Sequence, residues 1–198
     1  MRVLPLTSKT IDLAIFVLKE GGIVVHPTET CYGLACDLTN PSAVARLFDL
    51  KKRAPNQPVS ALFPSQEEAE LYSVWNSRAR ELAEKHLPGP LTLILPLRTD
   101  APYQLYPTST SVERSTTIGV RISSHPLAQE LVKRFGKPIS TTSANIHGQP
   151  AAYTPDEILS QFLDDLPNIL LLDGGHLPLR PPSTIIDLTG PCSRITRS

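Results

Sequence analysis

Short apolar runs of strand character alternate with amphipathic helical stretches along the whole chain, and this alternation restricts the fold more than any other feature. IVV (23–25), VSALF (59–63), LTLILPL (91–97), TIGVRI (117–122), ILLLD (169–173) and STIIDL (183–188) read as strands. Between them, residues 8–20 set Ile11, Ala14, Ile15 and Leu18 on one helical face and stop at Gly21-Gly22. Asn40 and Pro41 form an N-cap and first-turn pair for a helix running to Leu50. Ser65 with Glu68 has the spacing of a capping box, and Thr154, Pro155 and Glu157 open another helix. A helix over 77–86 is closed by PGP at 88–90, and a further one starts near Pro126 and ends before Gly136. Alternating strands and helices predict an α/β sandwich with a largely parallel or mixed sheet. No repeat and no linker divides the chain, so residues 1–198 are expected to form one domain. The stretch 98–116, rich in Pro, Ser and Thr, is long for a connection in a compact domain, which suggests a functional loop or a lid.

Lys+Arg and Asp+Glu balance at 19 each, so the molecule has no overall basic field with which to grip long nucleic acid. Cys31, Cys36 and Cys192 are an odd, sparse set that fits a reducing compartment better than a disulfide framework. The apolar run from Ile11 is broken by Asp12, Lys19 and Glu20, and no uncharged run is long enough to span a bilayer. A cytoplasmic protein with no membrane partner is expected.

The usual phosphate loops, G-x-x-x-x-G-K-[ST] and G-x-G-x-x-G, do not occur, nor do H-E-x-x-H or G-x-S-x-G. Cys31 and Cys36 with nearby His26 have non-standard spacing for zinc and no assignable fourth ligand, so buried structural cysteines and no metal site are expected.

Open α/β sheets bind ligands at strand ends, and five such places carry polar residues: PTET (27–30), KKR (51–53), TIGVR (117–121), STTSAN (140–145) and Ser183-Thr184. Lys51 and Arg53 lie near a helix end, where cations commonly offset the helix dipole, but the sharp turn of the chain after them also lets them meet an anion. Arg121 sits inside an apolar strand, as a solvent-facing residue or as a fork for a carboxylate or phosphate. The consecutive hydroxyls Ser140, Thr141, Thr142 and Ser143 serve either local turn chemistry or a ligand. On a strand, Thr141 and Ser143 face one way while Ser140 and Thr142 face the other. Convergence of these groups would describe a polar pocket for an anionic ligand that also bears hydroxyl or amine groups. A different class of function, a non-catalytic RNA-binding module, would use Arg46, Lys51, Lys52 and Arg53 as a basic patch.

Several spaced motifs appear in order: GGIVVHPTETCYGL (21–34), LKKR with Pro58, LPGPLTLILP (87–96), TIGVRISSHPLA (117–128), TSANIHGQP (142–150) and LDGG…STIIDLTG (172–190). With these the chain resembles the YrdC-type threonylcarbamoyl-AMP synthases over nearly its full length, in their short single-domain form. The resemblance implies a twisted, open α/β sandwich of the YrdC type with a ligand cavity on the concave face of the sheet. It also implies a nucleotidyltransferase: L-threonine, bicarbonate or CO2, and ATP give L-threonylcarbamoyl-AMP and pyrophosphate. The product serves threonylcarbamoyladenosine modification of tRNA beside the anticodon. A separate transferase complex would deliver the group, leaving tRNA an indirect or weak partner, and Mg²⁺ would be carried by the nucleotide. The paired K-x-R and S-x-N motifs correspond to Lys51, Arg53, Ser143 and Asn145 as catalytic positions. Thr30, Arg121, Thr141 and Ser183 align with threonine-contacting positions. Arg53, Gln57, Thr117, Ser143, Ala151 and Arg197 align with ATP-contacting positions. The sequence departs from the family pattern at Leu62, where many relatives carry histidine, at Pro182, where glutamate is common, and at Ala35-Cys36 in place of Gly-Ala.

Overall fold

The computed structural model of the chain describes residues 1–54, 57–106, 117–162, 168–190 and 192–197. Its strands are β1 (Arg2–Pro5), β2 (Ile23–Pro27), β3 (Tyr32–Ala35), β4 (Ser60–Leu62), β5 (Leu91–Pro96), β6 (Thr117–Arg121), β7 (Ile139–Ser143), β8 (Ile169–Asp173), β9 (Thr184–Asp187) and β10 (Arg194–Arg197). They join in one ten-stranded sheet of order β1-β8-β2-β3-β7-β4-β6-β5-β9-β10. The pairs β1–β8, β2–β8, β4–β6 and β5–β9 are parallel, whereas β2–β3, β3–β7, β4–β7, β5–β6 and β9–β10 are antiparallel. The α/β class and the mixed sheet are as the alternation predicts.

The helices are α1 (Ser8–Lys19), α2 (Pro41–Lys51), α3 (Gln66–Glu70), α4 (Ser77–His86), α5 (Pro126–Phe135) and α6 (Pro155–Gln161). Their starts follow the capping residues. Asn40 Oδ1 accepts the amides of Ser42 and Ala43, and Thr154 and Glu157 close a reciprocal capping box.

Two apolar layers flank the sheet. One holds Leu91, Leu93 and Leu95 of β5 and Ile118 and Val120 of β6 against side chains of α2, α4 and α6. The other packs α1 and α5 over Val24, Leu62, Ile139, Leu170 and Leu172. Strands β2 and β8 are therefore covered on both faces, which explains why IVV and ILLLD are continuously apolar. Among the described residues, the second layer draws nothing from β5, β6 or β9. On that uncovered half the alternating side chains are Thr92, Gly119 and Arg121, with Ser60 and Thr141 beside them in register.

The sequence reading missed β1, β3 and β10. Strand β1 is largely and β10 wholly exposed, so neither has an apolar period, while β3 carries Gly33 in a stretch that reads as a turn. These strands exist because a neighbour supplies their hydrogen bonds. Residues 107–116 of the long loop, and the lid expected there, lie outside the described residues. The preceding stretch is tied down: Leu105 is buried and the Tyr106 amide donates to the Leu38 carbonyl at 2.8 Å. Among the described residues, no helix is long and apolar enough to cross a membrane.

Strand β7 joins the two halves of the sheet, since it pairs with β3 through Thr142 and Ser143 and with β4 through Ile139, Ser140 and Thr141. Beside this junction Ser140, fully buried, takes the Cys36 amide at 2.8 Å and donates to the Leu34 carbonyl at 3.1 Å. Ser140→Ala strands a buried amide and carbonyl, so a loss of about 2 kcal/mol is expected in chemical denaturation. An unchanged unfolding midpoint would show that this bridge is dispensable.

Candidate active site

A cavity of ≈ 290 Å³ opens on the uncovered half of the sheet. Its wall gathers residues from stretches far apart in the chain: Thr30, Arg53, Ser60, Thr92, Arg121, Thr141, Ser143, Ala151, Ser183 and Arg197 among them. The strand parity described above aims Thr92, Arg121, Ser60 and Thr141 at it. At Gly119, a Cβ would fall 2.5 Å from the Ser60 hydroxyl oxygen, so glycine permits the close approach of β6 to β4.

The cationic groups are held in place by neutral partners and one carboxylate. Arg121 Nη2 donates to Glu29 Oε1 at 2.7 Å and to Thr30 Oγ1 at 3.0 Å, and its Nε is buried without a partner. Arg53 Nε donates to Gln57 Oε1 at 2.7 Å and Nη2 to the Pro58 carbonyl at 2.8 Å. Arg197 Nε reaches the Ser183 carbonyl at 3.0 Å and Nη2 the Ser183 hydroxyl at 2.8 Å. The hydroxyls are linked as well: Thr28 and Thr30 share a 3.1 Å bond, and Thr92 and Ser183 share one of 3.3 Å.

The paired motifs meet through Lys51. After α2, Lys52 adopts a left-handed conformation (φ 49°), which reverses the chain and separates the directions of Lys51 and Arg53. Arg53 turns to the cavity. Lys51 turns inward, is buried, and spends its ammonium on the Ser143 carbonyl (2.6 Å), the Asn145 carbonyl (2.9 Å) and Asn145 Oδ1 (3.0 Å). Asn145 Oδ1 also accepts from the Ser143 hydroxyl at 2.6 Å. Burial, with Arg53 close by, pulls the Lys51 ammonium down to about 8 from 10.5.

Eight of the site residues inferred from the sequence therefore form the cavity wall: Thr30, Arg53, Arg121, Thr141, Ser143, Ala151, Ser183 and Arg197. Four do not. Lys51 and Asn145 stand behind Ser143, Gln57 stands behind Arg53, and Thr117 lies at the far end of β6 opposite Pro96. Tertiary structure adds Thr28, Ser60, Thr92 and Tyr153 to the wall. The polar Thr92 within apolar β5 was the available signal. Leu62 is buried in the layer under α1 and α5, while Pro182 lines the cavity. Cys36 is buried as expected, its thiol pushed up to about 12 by burial. Cys31 departs from that expectation: it is half-buried on the cavity wall, its thiol also raised by burial. Among the described residues no group of three His, Cys, Asp or Glu could hold a metal.

The basic patch considered for RNA does not survive folding as one surface. Lys51 is buried, Arg53 lines the cavity and Arg46 donates to the Gly21 carbonyl, leaving Lys52 exposed.

Fold and site together define an α/β sheet protein with a cationic, hydroxyl-lined cavity on the half-covered face. The family model for Sua5, YciO and YrdC proteins, described as telomere recombination, matches residues 16–198, and the chain belongs to this family. It is 35% identical over 189 residues to a threonylcarbamoyl-AMP synthase of Klebsiella pneumoniae subsp. pneumoniae, covering 93% of this chain and 95% of that protein. Sua5 of P. abyssi, solved in complex with L-threonine, superposes with a TM-score of 0.87 at 29% identity. That match covers all of this chain, which spans 57% of the Sua5 chain. YciO of E. coli superposes with a TM-score of 0.83 at 26% identity, covering 100% of this chain and 94% of that one.

Behind the site, His26 is fully buried with Nε2 unpartnered, and burial pulls its imidazole from 6.5 down to about 4. His125, Arg121 and Glu29 face it. The unfolded chain binds a proton here that the folded one refuses, so stability present above pH 6.5 is lost as pH falls toward 4. Thermal unfolding across this window is expected to show a falling melting temperature, with a flatter slope in His26→Phe. The same slope in that variant would assign the effect elsewhere.

Proposed function

We propose that this chain is an L-threonylcarbamoyl-AMP synthase, a nucleotidyltransferase that converts L-threonine, bicarbonate or CO2, and ATP into L-threonylcarbamoyl-AMP and pyrophosphate. The observation that carries this reading is the convergence of Arg121, Thr30, Thr141 and Ser183 with Arg53, Ser143 and Arg197 around one cavity. The names of the relatives and the threonine held by P. abyssi Sua5 support the same reading.

The hydroxyls suit an amino acid that has an ammonium, a carboxylate and a hydroxyl of its own, because each pairs as donor or acceptor. Arg121 offers a fork for the carboxylate. Arg53 approaches from the turn after α2 and Arg197 from β10, and together they suit a polyphosphate. In the proposed reaction the threonine amine captures CO2 as a carbamate. A carbamate oxygen then attacks the α-phosphorus, and the bond to the departing pyrophosphate breaks. The nucleophile belongs to the substrate, so the protein's tasks are to orient the reactants and to offset the gathered negative charge.

Lys51 serves this chemistry indirectly by fixing the turn that presents Ser143. Among the described residues, the cavity wall carries no Asp or Glu, so Mg²⁺ would arrive with the nucleotide rather than sit in a protein cage. The product would pass in the cytoplasm to a separate transferase acting on tRNA. Zero net charge and the dispersed basic patch disfavour a non-catalytic RNA-binding role.

Purified protein given threonine, bicarbonate, ATP and Mg²⁺ should release pyrophosphate and form a product with the mass of threonylcarbamoyl-AMP. Equal release without threonine would refute the assignment. Arg53→Ala is expected to lower kcat by about 100- to 1,000-fold, the scale of losing one preorganised charge-stabilising donor. Its melting temperature should stay near that of the wild type; full turnover in this variant would reduce Arg53 to a helix-end cation.

A further inference from the structure

Arg121 reaches the cavity from the middle of an almost dry environment, and what holds it there is Glu29. The two side chains are 9% and 8% exposed and meet at 2.7 Å. The second carboxylate oxygen of Glu29 accepts from the Ser123 hydroxyl. Ser123 is in turn fixed to the start of α5, since its hydroxyl accepts the His125 amide at 3.1 Å and its carbonyl accepts Gln129 Nε2 at 2.9 Å. A continuous chain of contacts thus runs from α5 through Ser123 and Glu29 to the guanidinium.

Burial alone would raise the Glu29 carboxyl. The charge of Arg121 and the Ser123 hydrogen bond outweigh burial and hold it below its ordinary value, so it stays ionised. On the Arg121 side, Nη2 divides its donors between Glu29 and Thr30, while Nε keeps a buried, unspent proton. With both Nη2 donors engaged and Nε buried, a ligand carboxylate in the cavity would meet the guanidinium only along its remaining, cavity-facing edge. Such a contact works only when the guanidinium plane is set in advance, because a planar guanidinium pairs with a carboxylate over a narrow range of angles.

We infer that Glu29, braced by Ser123, is a positioning residue that sets the plane of Arg121 for the carboxylate of the amino-acid substrate. This rests on the threonine reading above. Glu29 does not line the cavity and touches no reacting atom; it acts through Arg121.

The test is calorimetric titration of L-threonine, and of L-threoninol, which lacks the carboxylate, into the wild type and into Glu29→Gln, Glu29→Ala and Ser123→Ala. Glu29→Ala should weaken threonine binding roughly 10- to 100-fold, the scale of losing a hydrogen bond to a charged group. Threoninol binding and the KM for ATP should change little. Glu29→Gln, which keeps shape and an acceptor oxygen, should fall between, and Ser123→Ala should follow the same pattern more weakly. If Glu29→Ala does not fold, the other two variants decide. Equal losses for threonine and threoninol would indicate general damage and overturn the proposal, as would undiminished threonine affinity in the variants. A wild type that binds no threonine would overturn the substrate reading itself.

Discussion

The sheet is continuous because β7 pairs at one end with β3 and at the other with β4, and the site depends on that continuity. Without it, the half covered on both faces and the half covered on one would be separate bodies. With it, the hydroxyl strand runs from the dry junction at Ser140 to the cavity at Thr141 and Ser143. One short segment therefore supplies both a structural hydroxyl, spent on backbone, and hydroxyls available to a ligand. Lys51 secures the far end of the strand by binding the carbonyls of Ser143, its last residue, and of Asn145 beyond it.

Uneven cover over one face of the sheet makes the cavity. Helices α1 and α5 press on the β8–β2 side and stop short of β5, β6 and β9. Strands left bare on one side alternate apolar and polar residues, and the polar ones form a floor for small polar ligands. Arginines at such a floor would repel one another and attract solvent. Here each is tethered before any ligand arrives: Arg53 by Gln57 and Pro58, Arg121 by Glu29 and Thr30, Arg197 by Ser183. Preorganisation of this kind lowers the entropic cost of gathering anions.

Much of this was legible in the residues. The helices began at their capping residues, and the strands buried on both faces announced themselves as unbroken apolar runs. Arg121 and Thr141 were recognisable as polar intrusions in strands. The direction of Lys51 was not legible, because a cation in the last turn of a helix has two directions to take, and the left-handed Lys52 sends it inward. Strands β1 and β10 were invisible because their hydrogen bonds, not their side chains, make them strands.

By itself the sequence determined the element types, the order of the motifs and the supply of hydroxyls and guanidinium groups, because propensity, capping and period-two alternation act over a few residues. Tertiary structure decided which face of each strand α1 and α5 would cover and which would remain open. It also decided that Ser183 would meet Arg197 and that Glu29 would meet Arg121, 92 positions apart in the chain. Local rules set the parity of side chains along a strand. Only the packing of distant helices says which parity faces water.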